Sequence, residues 1–158
     1  MSMIKKYSGQ TLKELVITAQ DSERLRTNLN IHESADAAVQ RLFLVFVPGT
    51  YIRPHRHPQA HKWELLVILE GELELLIFND SGDVVEKIKM SSTTNRAVEL
   101  PPNTWHSYIS KQSGTLALEI KQGVYLPTPE EDFIPTSPAE QTDEVAAYLQ
   151  WMKNITLP

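Results

Sequence analysis

The chain has 158 residues and no cysteine, which excludes disulfides, thiolate metal sites and thiol nucleophiles. Its length predicts one domain with a sizeable core. The formal net charge is −5 and the basic residues are scattered, so we expect neither a nucleic acid nor an anionic membrane as partner. The sequence contains no apolar run long enough to cross a membrane and no signal-peptide core, so we expect a soluble, cytoplasmic protein.

Residues 1–38 are predicted to form a helical and loop extension. The spacing of apolar residues predicts a helix over 11–28, and Asp21-Ser22-Glu23 could start a second short helix within it. The polar stretch from Asn28 to Asp36 is predicted to be a loop. The residues at helical spacing are Leu12, Leu15, Val16 and Ala19.

Residues 39–123 are predicted to form the β-rich part of the chain. Short apolar runs alternate with turn residues, of which Asn79 to Gly82 and Ser113-Gly114 are the clearest. Many short strands separated by turns indicate a sandwich or a barrel. The predicted strands are 41–47, 51–57, 63–70, 72–79, 84–90, 97–100, 105–110 and 115–121.

Residues 124–158 are predicted to form a proline-rich strap and a C-terminal helix, within the same single domain. Ser137, Pro138 and Glu140 match a capping box, which predicts the start of that helix. An apolar stripe then predicts packing against the barrel or against a partner subunit. The stripe consists of Val145, Tyr148, Leu149 and Met152.

Three histidines and a glutamate form a candidate metal site. His55 and His57 are two residues apart, so in an extended strand their side chains project from the same face. Glu64 follows closely, and His106 offers a third imidazole. Imidazole nitrogens and a carboxylate suit a borderline divalent cation, which makes a metal site the favoured interpretation.

The spacing of these residues resembles the first cupin motif, in which a glycine precedes His-x-His, a glutamate and a second glycine. Five residues separate Gly49 from His55, and six separate Glu64 from Gly71, as in that motif. The gap between His57 and Glu64 is longer than the motif's by two or three residues.

The second cupin motif is matched with three substitutions. Asn95, Pro101-Pro102-Asn103, His106 and Ser110 occupy the positions of a glycine, Pro-x-Gly, a histidine and an asparagine. Asparagine tolerates the left-handed backbone region, so both changes from glycine are physically mild. The resemblance covers about residues 40–122.

More narrowly, the segments YIRPHRHPQAHKWE and PPNTWHSY and an upstream RLR-N-N-H pattern resemble the WbuC-type bacterial cupin-fold metalloproteins, which are named from O-antigen gene clusters. The resemblance implies an all-β fold: a small antiparallel barrel (cupin, double-stranded β-helix or jelly roll) with an N-terminal helical segment and a C-terminal helix. It also implies one divalent metal ion, Fe, Mn, Ni or Zn. The ligands carried over are His55, His57, Glu64 and His106.

Strand parity predicts which other side chains line the pocket. Residues two and four positions before His55 share its face, unless a bulge intervenes at Pro54, and so do residues two and four positions after His106. Among these, Arg53 could hold an anionic or carbonyl-bearing ligand or could pair with a neighbouring acid. The predicted catalytic or substrate-lining residues are Tyr51, Arg53 and Tyr108, with Ser110 as a further candidate.

Other polar residues allow two interpretations each. His61 occupies the position where the standard motif has its glutamate, so it is an alternate ligand or a group that supports the ligands. His32 either closes over the pocket or is an ordinary loop residue. Glu119 and Lys121 share one strand face and either line the cavity or form a surface ion pair.

These residues and the resemblance predict a metal-binding cupin that acts on a small polar molecule, such as a sugar or sugar-nucleotide in bacterial surface-polysaccharide (O-antigen) biosynthesis. The alternatives are an Fe(II)-dependent dioxygenase and a non-catalytic cupin that binds a small ligand or a metal. Catalysis itself stays open, with isomerase or epimerase chemistry as one possibility. Apolar outer strand faces, as in RLFLVFV, predict a homodimer.

Overall fold

In the computed structural model, which describes residues 4–111 and 114–157, eight strands form two antiparallel sheets. The larger sheet has the order β1-β2-β8-β3-β6, and the smaller has the order β5-β4-β7. Two α-helices flank them, α1 at Gly9–Gln20 and α2 at Val145–Asn154. The strands are β1 Arg26–Asn30, β2 Val39–Phe46, β3 Glu64–Glu70, β4 Glu72–Phe78, β5 Val84–Ser91, β6 Ala97–Leu100, β7 His106–Ser110 and β8 Thr115–Gln122.

The two sheets enclose an apolar core. Successive side chains of a strand point to opposite faces, so every second side chain of each sheet faces the other sheet. Leu66 and Ile68 on β3 contribute to it from the larger sheet, and Leu73 and Leu75 on β4 contribute from the smaller. The predicted all-β architecture with flanking helices is therefore confirmed. In the described part of the chain, no helix combines the length and apolar composition that a membrane crossing requires.

Helix α1 covers the outer face of the larger sheet. Ser8 caps it by accepting a hydrogen bond from the Thr11 backbone N–H. Its Ala19 is buried against Val45 and Val47 of the RLFLVFV segment. The chain itself therefore covers the face on which the homodimer prediction was based, and the homodimer stays a prediction.

The N-terminal segment contributes a strand where the sequence predicts helix and loop. Helix α1 ends at Gln20, and Leu25 takes a positive φ of 52° before β1 begins. Strand β1 pairs with β2 from Arg26 opposite Phe46. The predicted helix over 21–28, its second start and the loop at 28–30 are wrong, because pairing with β2 overrides weak local helix propensity.

The predicted strand at 51–57 is also wrong. Among the described residues, the backbone of this segment forms no strand ladder and makes isolated bridges at His55, one of them to His106. Pro54 and Pro58 lack the N–H that a regular ladder needs, so the segment runs between the sheets as irregular chain.

The capping box at Ser137 does not start a helix. Helix α2 begins at Val145, with Glu144 as its N-cap. The Ser137 hydroxyl donates to the Ile134 carbonyl at 2.6 Å, and Glu140 pairs with two arginines instead. The Ser137 hydroxyl also accepts a hydrogen bond from Arg53 Nε at 3.2 Å, so both side chains that the local pattern assigned to a cap contact distant residues instead.

The apolar stripe of α2 packs on the outer face of the smaller sheet, as predicted. Leu149 and Met152 are buried against Leu76, Phe78 and Trp105. This contact holds the C-terminal helix to the barrel without a partner subunit.

The predicted turn at Asn79 to Gly82 lies wholly in the described chain, and the predicted turn at Ser113-Gly114 lies only partly in it. At Asn79 to Gly82 the Asn79 N–H donates to the Asp83 carbonyl, and Gly82 has φ +86°, so the hairpin is confirmed. Ser113 lies outside the described residues. Asn103 takes the left-handed region at φ +65°, as its exchange for glycine predicts, whereas Asn95 is not among the described residues with positive φ.

We predict that Gly71→Ala lowers the free energy of unfolding by about 2–3 kcal/mol. Gly71 links β3 to β4 at φ +82°, and an added Cβ would lie 2.8 Å from the Thr115 Cα. Urea unfolding measures the change. Gly9→Ala is the matched control, because its Cβ would meet nothing within 4 Å; equal losses in both variants would contradict the prediction.

Candidate metal centre

The structure brings the four predicted ligands together at one end of the barrel. The Nε2 atom of His106 lies 3.1 Å from Glu64 Oε2, and the Nε2 atom of His57 lies 3.3 Å from Glu64 Oε1. The His55 ring centroid is 4.5 Å from that of His106 and 5.1 Å from that of His57. Glu64 begins β3 and His106 begins β7, so two strand ends and the irregular segment meet here.

Backbone carbonyls fix the orientation of two of the imidazoles. His55 Nδ1 donates to the Arg53 carbonyl, and His106 Nδ1 donates to the Thr104 carbonyl, each at 2.9 Å. A carbonyl can only accept, so Nδ1 carries a proton in both rings. Nε2 of the neutral His55 ring therefore keeps its lone pair, whereas Nε2 of His106 faces Glu64 and would have to give up its proton to bind a metal. Metal-binding histidines are commonly held in this way.

The third imidazole has an unsatisfied nitrogen. Within the described chain, His57 Nε2 is buried and has no hydrogen-bond partner, since its 3.3 Å approach to Glu64 lacks hydrogen-bond geometry. Buried polar atoms are nearly always paired, so an orphan such as this needs a physical explanation. A bound cation would supply one.

Three imidazoles and one carboxylate form a donor set that fits a divalent metal. Among residues 4–111 and 114–157, however, no three His, Asp or Glu side chains place their donors as a ready metal site would. Glu64 contacts His57 and His106 directly. Metal binding would therefore require Glu64 to exchange those contacts for the ion.

The charges of the four groups are interdependent. Burial alone would raise the pKa of Glu64, but His106, His57 and Lys121 hold that pKa well below its usual range. Burial lowers the pKa of His106, yet its contact with Glu64 outweighs this and raises the pKa. For His55, burial and the charge of His106 lower the pKa strongly, which favours the neutral, metal-binding form of the ring.

Glu119 and Lys121 form an ion pair that is largely buried rather than on the surface, and of the two residues Lys121 lines the cavity beside the histidines. Lys121 Nζ lies 3.0 Å from Glu119 Oε2 and 3.4 Å from Glu64 Oε1. Burial lowers the pKa of Lys121, but the two carboxylates outweigh it and raise that pKa, so Lys121 stays an ammonium.

A cavity of about 120 Å³ opens beside the histidines. Sequence reasoning missed Lys62, whose Nζ donates to the Val124 carbonyl at 2.6 Å. Lys62 lies two residues before Glu64, and in an extended chain that spacing places both side chains on the same face. The cavity is lined by His55, His57, Lys62, Glu64, Lys121, Val124, Tyr125, Leu126 and Thr128.

The structure does not bring Arg53 or Tyr51 to this cavity. Arg53 pairs with both carboxylate oxygens of Glu130, at 2.7 and 3.0 Å, and stacks over Phe133. The Tyr51 hydroxyl donates to the Pro138 carbonyl. Strand parity fails for both residues because the chain is not a regular strand here, and Arg53 has the neighbouring acid that was its alternative.

Of the remaining residues predicted to belong to the site, one lies near the histidines and three lie away from them. Tyr108 lies edge-on to His106, with ring centroids 5.7 Å apart, and burial raises the pKa of its phenol. Ser110 donates to the Phe46 carbonyl, away from the cavity. His61 is exposed beside Gly123 and does not line the cavity. His32 contacts the Arg41 backbone and lines a neighbouring cavity.

A protein-family model matches residues 7–90, which is more than half of the chain; its description is "Domain of unknown function (DUF6016)". The chain belongs to this family. The DUF6016 match includes His55, His57 and Glu64 but ends before His106. No curated protein matches the sequence.

Solved structures similar to this DUF6016 chain include KdgF from Halomonas sp., with 18% identity, TM-score 0.53 and coverage of 67% of this chain and 87% of that one. The protein TT1209 from Thermus thermophilus has 17% identity, TM-score 0.54 and coverage of 76% and 96%. The formate complex of Lactobacillus farciminis oxalate decarboxylase has 14% identity, TM-score 0.51 and coverage of 66% and 30%. The cupin jelly-roll fold implied by the sequence is confirmed.

We predict that Arg53→Met lowers the free energy of unfolding by about 1–2 kcal/mol, because it removes the buried bond to Ser137 and the stacking over Phe133. The ion pair with the exposed Glu130 contributes little, since solvent screens it. Urea unfolding measures the loss. Arg41→Met is the control: this arginine is exposed, and we expect a change within about 0.5 kcal/mol. Equal changes in the two variants would contradict a structural role for Arg53.

Proposed function

We propose that this protein is a metal-dependent cupin that binds a small anionic or carbonyl-bearing molecule beside its metal. One divalent ion, Fe, Mn, Ni or Zn, would be held by His55, His57, Glu64 and His106. The observation that carries the proposal is the buried Nε2 of His57, which makes no hydrogen bond, lies 3.3 Å from Glu64 and has three other potential donors around it beside a lysine-lined cavity.

The charge balance of the site supports an anionic ligand. Lys62 and Lys121 line the cavity with Glu64, and Glu119 contacts Lys121, so the four formal charges cancel. A divalent ion would leave two positive charges in excess. In a poorly hydrated site such an excess attracts an anion more strongly than in water.

The chain's own residues would orient that ligand. When bound, the ion would polarise a carbonyl group or stabilise an enediolate. Lys62 Nζ donates one N–H to the Val124 carbonyl, which leaves two N–H groups that can donate to a carboxylate. Tyr108 packs edge-on against the His106 ring and would support that metal ligand, and its raised pKa keeps it a neutral phenol.

The comparisons are consistent with this ligand class. Oxalate decarboxylase, whose fold this chain shares, is known in complex with formate, a small carboxylate. The resemblance to WbuC-type cupins supports a finer form of the proposal, in which the molecule is a sugar or sugar-nucleotide of surface-polysaccharide biosynthesis.

We predict about one equivalent of divalent metal in protein purified without a metal-affinity column. The His55→Ala/His106→Ala double variant should lose it, because two of four ligands are removed. Elemental analysis by mass spectrometry measures both. His61→Ala is the matched control and should keep the metal, since His61 lies outside the cavity.

The identity of the metal and the presence or absence of turnover distinguish the alternative functions. Iron together with oxygen uptake on a substrate would favour the dioxygenase, and ligand-induced stabilisation without turnover would favour a binding protein. Metal retained in the double variant, or absent from the wild type even after titration with each ion, would refute the proposed centre.

We predict that formate stabilises the metal-loaded protein and that Lys62→Met weakens formate binding about tenfold, because one of two cavity ammonium groups is lost. The shift in melting temperature with formate concentration gives the affinity. Lys153→Met, at the end of α2, is the charge-matched control. Equal weakening in both variants would show that only overall charge matters.

A further inference from the structure

A second cavity, of about 450 Å³, lies beside the metal centre. We call it the β1 cavity, because β1 and the loop after it form much of its wall. It shares Lys121 and Tyr125 with the smaller cavity at the histidines. Its polar lining includes Asn28, Asn30, His32, Glu33, Gln40 and Lys121.

The two asparagines of β1 present a donor and an acceptor side by side. Asn28 Nδ2 donates to Asn30 Oδ1 at 2.7 Å. Both side chains are exposed, and among the described residues Asn28 Oδ1 and Asn30 Nδ2 have no protein hydrogen-bond partner, so both atoms are accessible to a ligand. Because alternate strand residues share a face, both groups project from the same side of β1. A hydroxyl group, which donates and accepts, is the natural partner of such a pair.

His32 adds a further polar group to the same wall. Its Nδ1 lies 2.9 Å from the Arg41 carbonyl oxygen and 3.0 Å from the Arg41 backbone nitrogen. Nδ1 is therefore engaged with the backbone, and Nε2 is the ring nitrogen left for a ligand.

Hydrogen bonds from Gln40 and Tyr125 hold the loop that lines the β1 cavity. Gln40, which is 2% exposed, donates from Nε2 to the Ala35 and Ala37 carbonyls. The Tyr125 N–H also donates to the Ala35 carbonyl. The cavity is thus formed before any ligand binds, and its volume lies within the usual range for small-molecule sites.

We propose that the β1 cavity binds the hydroxylated part of a sugar-sized carboxylic acid whose carboxylate lies at the metal centre. This inference rests on the proposed function and names its substrate class. Asn28 and Asn30 recognise hydroxyl groups, and Lys121 lies where the hydroxylated part meets the anionic end. A purely apolar acid would leave the asparagine groups unpaired, which is the physical basis for selectivity.

Isothermal titration calorimetry of the metal-loaded protein with three probes tests the inference. Gluconate has both hydroxyl groups and a carboxylate, hexanoate has only the carboxylate, and sorbitol has only the hydroxyl groups. We expect gluconate to bind at least tenfold more tightly than either of the others. Equal affinity for gluconate and hexanoate, or no gluconate binding, would overturn the inference.

The Asn28→Ala/Asn30→Ala double variant should bind gluconate about tenfold more weakly, with unchanged metal content and unchanged hexanoate affinity. Thr27→Ala, on the opposite face of β1, is the matched control and should bind gluconate like the wild type. If the double variant does not fold, Asn30→Ser alone is measured, with a smaller expected loss of gluconate affinity.

Metal analysis distinguishes failure of this inference from failure of the proposed function. If the protein holds its full metal content but the asparagine double variant binds gluconate as tightly as the wild type, the substrate class alone is overturned. Protein that takes up no metal and binds neither acid overturns the proposed function, and this inference with it.

Discussion

The buried carboxylate of Glu64 is the constraint on which the site depends. Glu64 is only 4% exposed, and a carboxylate in that position is costly unless charged or hydrogen-bonding partners compensate it. His57, His106 and Lys121 provide the compensation from three different parts of the chain. Folding must therefore bring these parts together, and the contacts that neutralise Glu64 also assemble the candidate metal ligands.

The C-terminal strap helps to position the histidine segment, which is irregular chain and bridges to β7 at His55. The Arg56 N–H donates to the Asp132 carbonyl, and the Ile134 N–H donates to the Pro54 carbonyl, both at 3.0 Å. An ion pair between the Arg56 and Asp132 side chains adds to these bonds. Prolines prevent the segment from completing a ladder, so backbone and side-chain contacts with the strap replace one. Residues far from the histidines in sequence thus hold His55 and His57 in place.

Sequence predicts this protein well where local spacing decides the outcome and poorly where distant contacts do. The proximity of the three histidines and Glu64 follows from motif spacing, and Asn103 takes the left-handed turn that glycine would. Ser137, by contrast, matches a helix cap locally, but the Arg53 side chain and the Ile134 carbonyl bind its hydroxyl. β1 is a strand only because β2 offers it an edge. No local pattern contains that information.

The geometry of Glu64 couples metal binding to anion binding. Without a metal, its carboxylate contacts His57, His106 and Lys121, and the lysines and glutamates around the cavity balance in charge. A metal would take Glu64 and the imidazoles as ligands and leave the Lys62 and Lys121 ammonium groups less compensated. An anion would then bind more tightly, and by thermodynamic linkage the anion would stabilise the metal by the same factor. Because the His57 nitrogen without a hydrogen bond lies among these groups, the proposed metal and the proposed anion would each favour binding of the other.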